Sequence, residues 1–505
     1  MNPSTDQRRR NIFLVIAPLL STLMILFVDL QPGRPEITRT AAIALLMAIW
    51  WMTEALPLAV TSLLPMVLFP ALGIMSGKEV APIYFNHIIF LFIGGFIVAL
   101  AMERWNLHKR IALRILLTVG LQPGRILLGF ILSTAFLSMW ISNTATTMMM
   151  VPIALAIVYH LEESLPRRQV SSFATGIFLA IAYSASIGGV ATLVGTPPNL
   201  AFVRIFSIQF PQAPEITFAT WILFGLPVSI LFLVILWILL ARQYTHPIGD
   251  LTLEDEVIRR QYRELGKMAF EEKIVLVDFV ALVLLWLFRQ DVHLGTVTVP
   301  GWSNLFAHPE YLNDGVVAIA LALVLFLVPS RRSPTGRLMD WKTAVQLPWG
   351  IVLLFGGGFA VASGFKESGL SGWIGQQFTV LGGLHPLLII AVVCLIITFL
   401  TELTSNTATA QILLPILAEL AVATRLNPLL LMVPGTIACS FAFMLPVATP
   451  PNAIVFGTER LRIGDMVRTG LWLNFIGTAI ITLAIYLLGG PIFHIDPGNF
   501  PVWAR

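Results

Sequence analysis

Charge is what this chain has least of. Lys, Arg, Asp and Glu make up 11% of its 505 residues, where a soluble globular protein carries about 25%. That shortage excludes a water-soluble globular domain. The small basic excess, a net charge of +4, sits between apolar runs and forms no stripe, so it implies no nucleic-acid partner. Cysteine is nearly absent too. Cys394 and Cys439 both lie in apolar runs, with no zinc spacing, and read as packing residues rather than a disulfide or metal pair. The apolar runs also lack a nucleophile–base pair or a set of metal ligands, which argues against a membrane enzyme. Gly356-Gly357-Gly358 follows no strand, so it reads as a close helix contact and not a nucleotide loop.

What remains is apolar. Hydrophobic residues make up 57% of the chain and the mean hydropathy is +0.85, the composition of an all-α polytopic membrane protein. A bilayer core about 30 Å thick needs about 20 apolar residues per helix. Runs of that kind begin near Ile12, Thr38, Pro57, His87, Val170, Thr217, Ile274, Asp314, Pro348, Pro428 and Gly470, predicting about eleven crossings. The first run is too long for a signal-peptide core of about 7–15 residues and has no small-residue cleavage pattern, so it reads as a mature helix. Two further runs, 122–160 and 385–424, suit neither one crossing nor two. Each carries Ser-Asn-Thr near its middle and reads as a re-entrant hairpin. Irregular backbone at such a depth requires protein or a water-filled cavity around it.

Basic residues set the orientation. Arg8, Arg9 and Arg10 place the N-terminus in the cytoplasm. With both long runs as hairpins, Arg104 to Arg114, Arg167, Arg168, Arg242 to Lys273, Arg331 to Lys342 and Arg460 to Arg468 all fall inside. The tail beyond Gly490 then lies outside. The charged stretch from Leu251 to Lys273 reads as an amphipathic helix on the cytoplasmic surface. Trp50, Trp51, Trp341 and Trp349 sit at span ends, as interfacial aromatics do.

The second half repeats the first. Ser142-Asn143-Thr144-Ala145-Thr146 recurs at Ser405-Asn406-Thr407-Ala408-Thr409, 263 residues on. Gly94-Gly95 matches Gly357-Gly358 at the same offset, and Thr196-Pro197-Pro198-Asn199 recurs 253 residues on at Thr449-Pro450-Pro451-Asn452. Five crossings and one hairpin per copy make the copies run oppositely through the membrane, as inverted repeats whose hairpin tips meet near the midplane.

Thr is a good N-cap and Pro suits the first helical position, so each Thr-Pro-Pro-Asn reads as the start of a half-helix after an unwound turn. Each Ser-Asn-Thr tip adds another helix start. Four N-termini with unpaired N–H groups would form an anion site without arginine. The same turns free carbonyl oxygens, and Ser, Asn and Thr add side-chain oxygens, which suit Na+ beside a substrate carboxylate. The tips hold no ionisable side chain, which favours Na+ over a proton as the coupling ion.

These words, with Trp51-Met52-Thr53-Glu54-Ala55, make the chain resemble the divalent anion/sodium symporter family, which includes the bacterial and animal sodium-dicarboxylate cotransporters. The resemblance covers nearly the whole chain. It implies a homodimer whose protomers divide into a scaffold (1–120 and 274–382) and a moving transport domain (121–245 and 383–490). Between them lie the cytoplasmic helix at 246–273 and, at the end, an extracytoplasmic tail at 491–505. It implies an elevator in the plasma (bacterial inner) membrane, carrying C4-dicarboxylates such as succinate, fumarate or malate with Na+. Carried over by motif, Ser138, Ser142, Asn143 and Gly195 would serve one Na+ site, and Ser405, Asn406 and Ala448 the other. Asn143, Thr144, Thr196, Pro197, Ser405, Asn406, Thr407, Thr449 and Pro450 would line the substrate. The family's alternative activity is Na+-independent exchange of di- or tricarboxylates. A basic residue near a tip would mark it, and none lies within several residues of Ser142 or Ser405.

Glu402 lies one turn before Ser405, and its counterpart is Met139. It reads as a structural carboxylate paired in the hairpin or facing a cavity, with a protonation role as the alternative. Glu54 and Asp278, near predicted span ends, read as reaching the interface or a partner; His87, His108 and His160 read as interfacial, and Met148-Met149-Met150 as core filling.

Overall fold

The computed structural model describes residues 3–120, 122–245, 256–294, 297–381, 383–496 and 498–504. The first half opens with α1 (Pro3–Phe27) packed on α2 (Pro35–Thr53). Two short helices follow, α3 (Leu58–Thr61) and α4 (Leu64–Ala71), with Pro57 before α3 and Pro65 in the first turn of α4. After α5 (Gly77–Val80) come α6 (His87–Arg104) and α7 (Leu107–Val119), then α8 (Pro123–Ser138) and α9 (Asn143–Ser164). The half closes with α10 (Arg167–Gly189), α11 (Pro197–Gln209) and α12 (Phe218–Tyr244).

The second half begins with α13 (Glu256–Glu264) and α14 (Phe270–Leu287). The segment expected as one helix up to Lys273 is thus broken. Gly266 takes a left-handed φ of +63°, and Lys273 belongs to α14. Residues 246–255 of that segment lie outside the described ones. A small hairpin pairs β1 (Val292–Leu294) antiparallel with β2 (Val297–Val299), Val292 opposite Val299. Then come α15 (Asp314–Leu327), α16 (Trp341–Ala344), α17 (Trp349–Ser368) and α18 (Leu370–Phe378). The last elements are α19 (Pro386–Thr401), α20 (Asn406–Ala423), α21 (Leu429–Ala438), α22 (Pro450–Phe456) and α23 (Ile463–Phe493).

Eight helices among the described residues are long and apolar enough to cross a membrane, and five shorter ones are also apolar. Six of the eight are among the eleven expected runs, as α1, α6, α10, α12, α17 and α23, and the other two, α9 and α20, are arms of the two helix pairs that carry Ser-Asn-Thr. The run from Pro57 is split between α3 and α4, and α14 carries Glu271, Glu272, Lys273 and Asp278.

Side-chain caps start several helices. Asn86 Oδ1 accepts from Ile88 N at 3.0 Å, Thr217 Oγ1 from Thr220 N at 3.1 Å and Asn313 Oδ1 from Val316 N at 3.1 Å, each satisfying an otherwise orphaned donor. The glycines lie where helices touch. A Cβ on Gly94 would sit 2.5 Å from the Ala318 carbonyl carbon, and one on Gly357 2.5 Å from Ser62 O. α6 therefore packs directly on α15, and α17 on the backbone just after α3.

Candidate functional site

Each Ser-Asn-Thr word folds as a sharp turn between two helices. α8 ends at Ser138 and α9 begins at Asn143; α19 ends at Thr401 and α20 begins at Asn406, each 263 residues on. Ser142 caps α9 by accepting from Ala145 N at 3.2 Å. Ser405, in the same place on α20, makes no such cap bond.

The Thr-Pro-Pro-Asn words follow unwound backbone. α10 breaks at Gly189 and α11 resumes at Pro197; α21 breaks at Ala438 and α22 resumes at Pro450. Asn199 and Asn452 hold these turns from inside. Asn199 Nδ2 donates to Thr192 O at 2.7 Å. Asn452 Nδ2 donates to Leu445 O and Ala442 O, both at 3.0 Å. Thr192 and Leu445 are again 253 apart, so the hydrogen bonds repeat along with the letters. Thr449 caps α22 by accepting from Asn452 N at 3.3 Å, whereas Thr196 makes no cap bond on α11. Between the two halves the free cap hydroxyls therefore belong to different words, Thr196 in one and Ser405 in the other.

The tips and turns meet. Ser138 Oγ donates to Ala185 O at 2.7 Å, and Thr401 Oγ1 donates to Cys439 O at 2.8 Å. A hydroxyl has one proton, so Ser138 is then an acceptor toward the Asn143 amide, whereas Thr401 faces two acceptors, Cys439 O and Asn406 Oδ1, and shares its proton between them. With its nitrogen turned inward, the Asn143 amide donates to Ser138 Oγ (2.5 Å), Gly195 O (3.2 Å) and Ala185 O (3.3 Å). With its oxygen turned inward, it joins those three in a cage of four neutral oxygens, the donor set of a hard alkali cation. Asn406 Oδ1 lies 2.8 Å from Thr401 Oγ1 in the matching place. Gly189 and Gly195 permit the approach: a Cβ on Gly189 would lie 2.8 Å from Asn143 Oδ1, and one on Gly195 2.5 Å from Gly189 O.

Glu402 stabilises the second turn. Its carboxylate accepts from the backbone N–H of Phe443 (2.7 Å), Met444 (2.9 Å) and Leu445 (3.1 Å), and from Asn474 Nδ2 (2.8 Å). Four donors and no acceptor are what a carboxylate, not a carboxylic acid, satisfies. The group is structural, tying hairpin, unwound turn and α23 together. In the first half the turn is tied by α12 instead, through Trp221 Nε1 to Val190 O (3.0 Å) and Ser229 Oγ to Ile187 O (2.7 Å).

A family profile described as the sodium:sulfate symporter transmembrane region matches residues 9–495. The chain belongs to the sodium:sulfate symporter family. Among its relatives, the sodium-dependent dicarboxylate transporter SdcS of Staphylococcus saprophyticus is 43% identical, over 96% of this chain and 92% of that protein. The mouse Na(+)/dicarboxylate cotransporter 3 is 40% identical, over 98% and 94%. Two solved structures share the fold at low identity. MtrF of Neisseria gonorrhoeae superposes with a TM-score of 0.58 at 13% identity, over 95% of this chain and 99% of its own. YdaH of Alcanivorax borkumensis gives 0.54 at 14%, over 89% and 98%.

Within this symporter-family chain, Ser138, Asn143 and Gly195 come together, with Ser142 capping the helix between them. Asn406 meets Thr401, whose hydroxyl also reaches Cys439 O, while Ala448 lies buried in the adjoining turn beside Thr449. Thr196, Thr407 and Thr449 are buried; Thr144, Pro197 and Ser405 are half-buried, and Pro450 is exposed. Sequence reasoning missed Thr401, Asn199, Asn452 and Asn474. For Thr401 the signal was present, since it stands 263 residues after Ser138. It also missed α7 and α18, which each follow a left-handed residue, Asn106 (φ +58°) and Gly369 (φ +80°), and whose first residues are again 263 apart.

Proposed function

We propose that this chain is a Na+-coupled symporter that carries C4-dicarboxylates such as succinate, fumarate and malate into the cell. The observation that carries this reading is the cluster around the Asn143 amide at the start of a helix: Ser138 Oγ from a hairpin tip, Ala185 O from the end of α10 and Gly195 O from the unwound turn. Relatives that bear sodium and dicarboxylate in their names, at 43% and 40% identity, support the same ion and substrate class.

In this reading Na+ turns the Asn143 amide oxygen inward and fixes the tip. That aligns the N–H groups at the start of α9 with the substrate, whose carboxylate they hold together with the partial positive charge of the helix end. Ser142, Thr144, Thr196 and Pro197 complete that half. Ser405, Asn406, Thr407, Ala448, Thr449 and Pro450 act likewise in the other half, with Thr401 added to the Na+ ligands. Because the ion orders the groups that hold the anion, each must tighten the other by the same factor.

The two halves are unequally covered, which supports a moving transport domain. Val194 is buried, while Val447, 253 residues on, is 78% exposed. Trp140 is half-buried against Phe279, while Leu403, 263 residues on, is 70% exposed. An elevator of two inverted repeats would exchange these environments as its transport domain crosses a scaffold held in a homodimer. The orientation that goes with it has the N-terminus cytoplasmic and the C-terminus outside the plasma membrane.

A thermal-shift titration of the purified protein tests the coupling. Succinate should raise the melting temperature in Na+ and leave it unmoved in choline. An equal shift in both would remove Na+ from the mechanism.

A further inference from the structure

Of the acidic side chains buried in this bundle, Glu402 and Asp278 have opposite surroundings. Glu402 has four hydrogen-bond donors around it. Asp278, halfway along α14 and only 5% exposed, has a hydrogen-bond partner at neither carboxyl oxygen. It shares its buried face with Val275, Phe279, Leu282 and Trp286.

Among the described residues no basic side chain is bonded to it. α14 packs against α6, α7, α12 and α15. On α14 itself, Glu271 accepts from Ser330 Oγ, Glu272 pairs with Arg110 of α7, and Lys273 stands at the first turn. On α6, Arg104 pairs with Asp340 beside Glu103. On α7, His108 contacts Met102 O, with Lys109 and Arg114 on the same helix. α12 contributes Arg242 in its last turn, and Asp314 of α15 is held by Arg289. None of these makes a hydrogen bond to either Asp278 oxygen. An unpaired carboxylate in such a place is so costly that the group neutralises instead.

We propose that Asp278 is a proton-binding site within the membrane, occupied in this conformation and emptied when the packing around α14 loosens. The proton comes from water and returns to it as the carboxyl becomes hydrated; no other group need exchange it. The packing that would loosen is in view. Trp140, in the first hairpin tip, stands edge-on to Phe279, the residue after Asp278, with ring centroids 5.1 Å apart. Its indole Nε1 is also buried without a partner. A displacement of that hairpin changes the surroundings of Asp278, so proton occupancy and hairpin position are linked. Protonation favours the conformation in this structure, and rising pH favours conformations that hydrate the carboxyl.

The inference rests on reading α14 as a crossing and, for its transport arm alone, on the symport reading. Infrared spectroscopy of the reconstituted full chain tests it without any substrate. At neutral pH the wild type should show the C=O stretch of a protonated carboxylic acid that Asp278→Asn lacks. In parallel, initial uptake rates across pH should lose a pH-dependent component in both Asp278→Asn and Asp278→Leu, the leucine variant also melting no lower than wild type. Titration of the substrate itself appears equally in all three proteins. A band unchanged in Asp278→Asn, or pH profiles that superimpose, would overturn the proposal. Absence of succinate uptake with the band difference present would count against the symport reading and leave the proton site standing.

Discussion

Asn474 Nδ2 donates to Glu402 Oε1 at 2.8 Å, joining the last helix to the second hairpin. The same carboxylate gathers three successive backbone N–H groups of the second unwound turn. Glu402→Gln keeps the size but turns an NH2 group toward donors. Leaving a buried donor unsatisfied costs about 1–3 kcal/mol. The variant should melt at a distinctly lower temperature and lose uptake, read by thermal unfolding in detergent and by proteoliposome assay. Wild-type melting would show that the four bonds do not hold the turn.

Asn143 and Asn406 stand in matching places, each beside a hydroxyl at the end of the preceding helix, Ser138 and Thr401. Asn143→Ala and Asn406→Ala should each abolish uptake while the protein still inserts into the membrane. Ser138→Ala and Thr401→Val remove one oxygen from each cluster and should weaken Na+ binding by about fivefold, the worth of a hydrogen bond near 1 kcal/mol. Calorimetric Na+ titration reads this directly. Full uptake by either alanine variant would take that asparagine out of the site.

Gly189 has no room for a side chain, since its Cβ would lie 2.8 Å from Asn143 Oδ1 and 3.0 Å from Gly195 O. The matching residue in the second half is Ala442, so the two clusters differ in how closely backbone approaches. Gly189→Ala should eliminate uptake, and Ala442→Gly should retain most of it. Equal tolerance at both positions would mean that the close approach around Asn143 has no function.

Arg289 is buried on Asp314 at 2.6 Å and also reaches Glu215 at 2.9 Å. Asp314 in turn accepts from Phe218 N at 2.9 Å, so the pair anchors α12 to α15. Arg289→Met leaves a buried carboxylate uncompensated and should cost about 3–5 kcal/mol of stability. The Na+ dependence of succinate binding in the surviving folded protein should be unchanged. Altered Na+ affinity would connect this cluster to the tips.

The parts of the site that were legible were those written as paired words. Ser-Asn-Thr and Thr-Pro-Pro-Asn break helices, and new helices start at Asn143, Pro197, Asn406 and Pro450, although only Ser142 and Thr449 make the cap bond. The glycines of α6 and α17 were legible for the same reason, because only a helix contact explains them. Glu402 was harder. Its partners lie 41 to 72 residues away, and no local pattern announces a carboxylate that serves distant backbone. The surface helix was placed too long because charged residues at helical spacing do not reveal where Gly266 turns the chain. The role of Thr401 was hidden by its change from Ser138: the hydroxyl repeats and the residue type does not. Asp278 reads in the sequence as reaching the interface or a partner near a span end, but the fold buries it with a partner at neither oxygen, which is a property of the folded bundle alone.

The central claim is that an inward Na+ gradient drives dicarboxylate through a site built on the two hairpin tips. Uptake of labelled succinate by proteoliposomes, started with Na+ outside and K+ inside, tests it most directly. The account predicts transient accumulation above the external concentration, lost when choline replaces Na+ and lost in Asn143→Ala. Uptake that proceeds equally in choline, or only when unlabelled dicarboxylate is loaded inside, would contradict it.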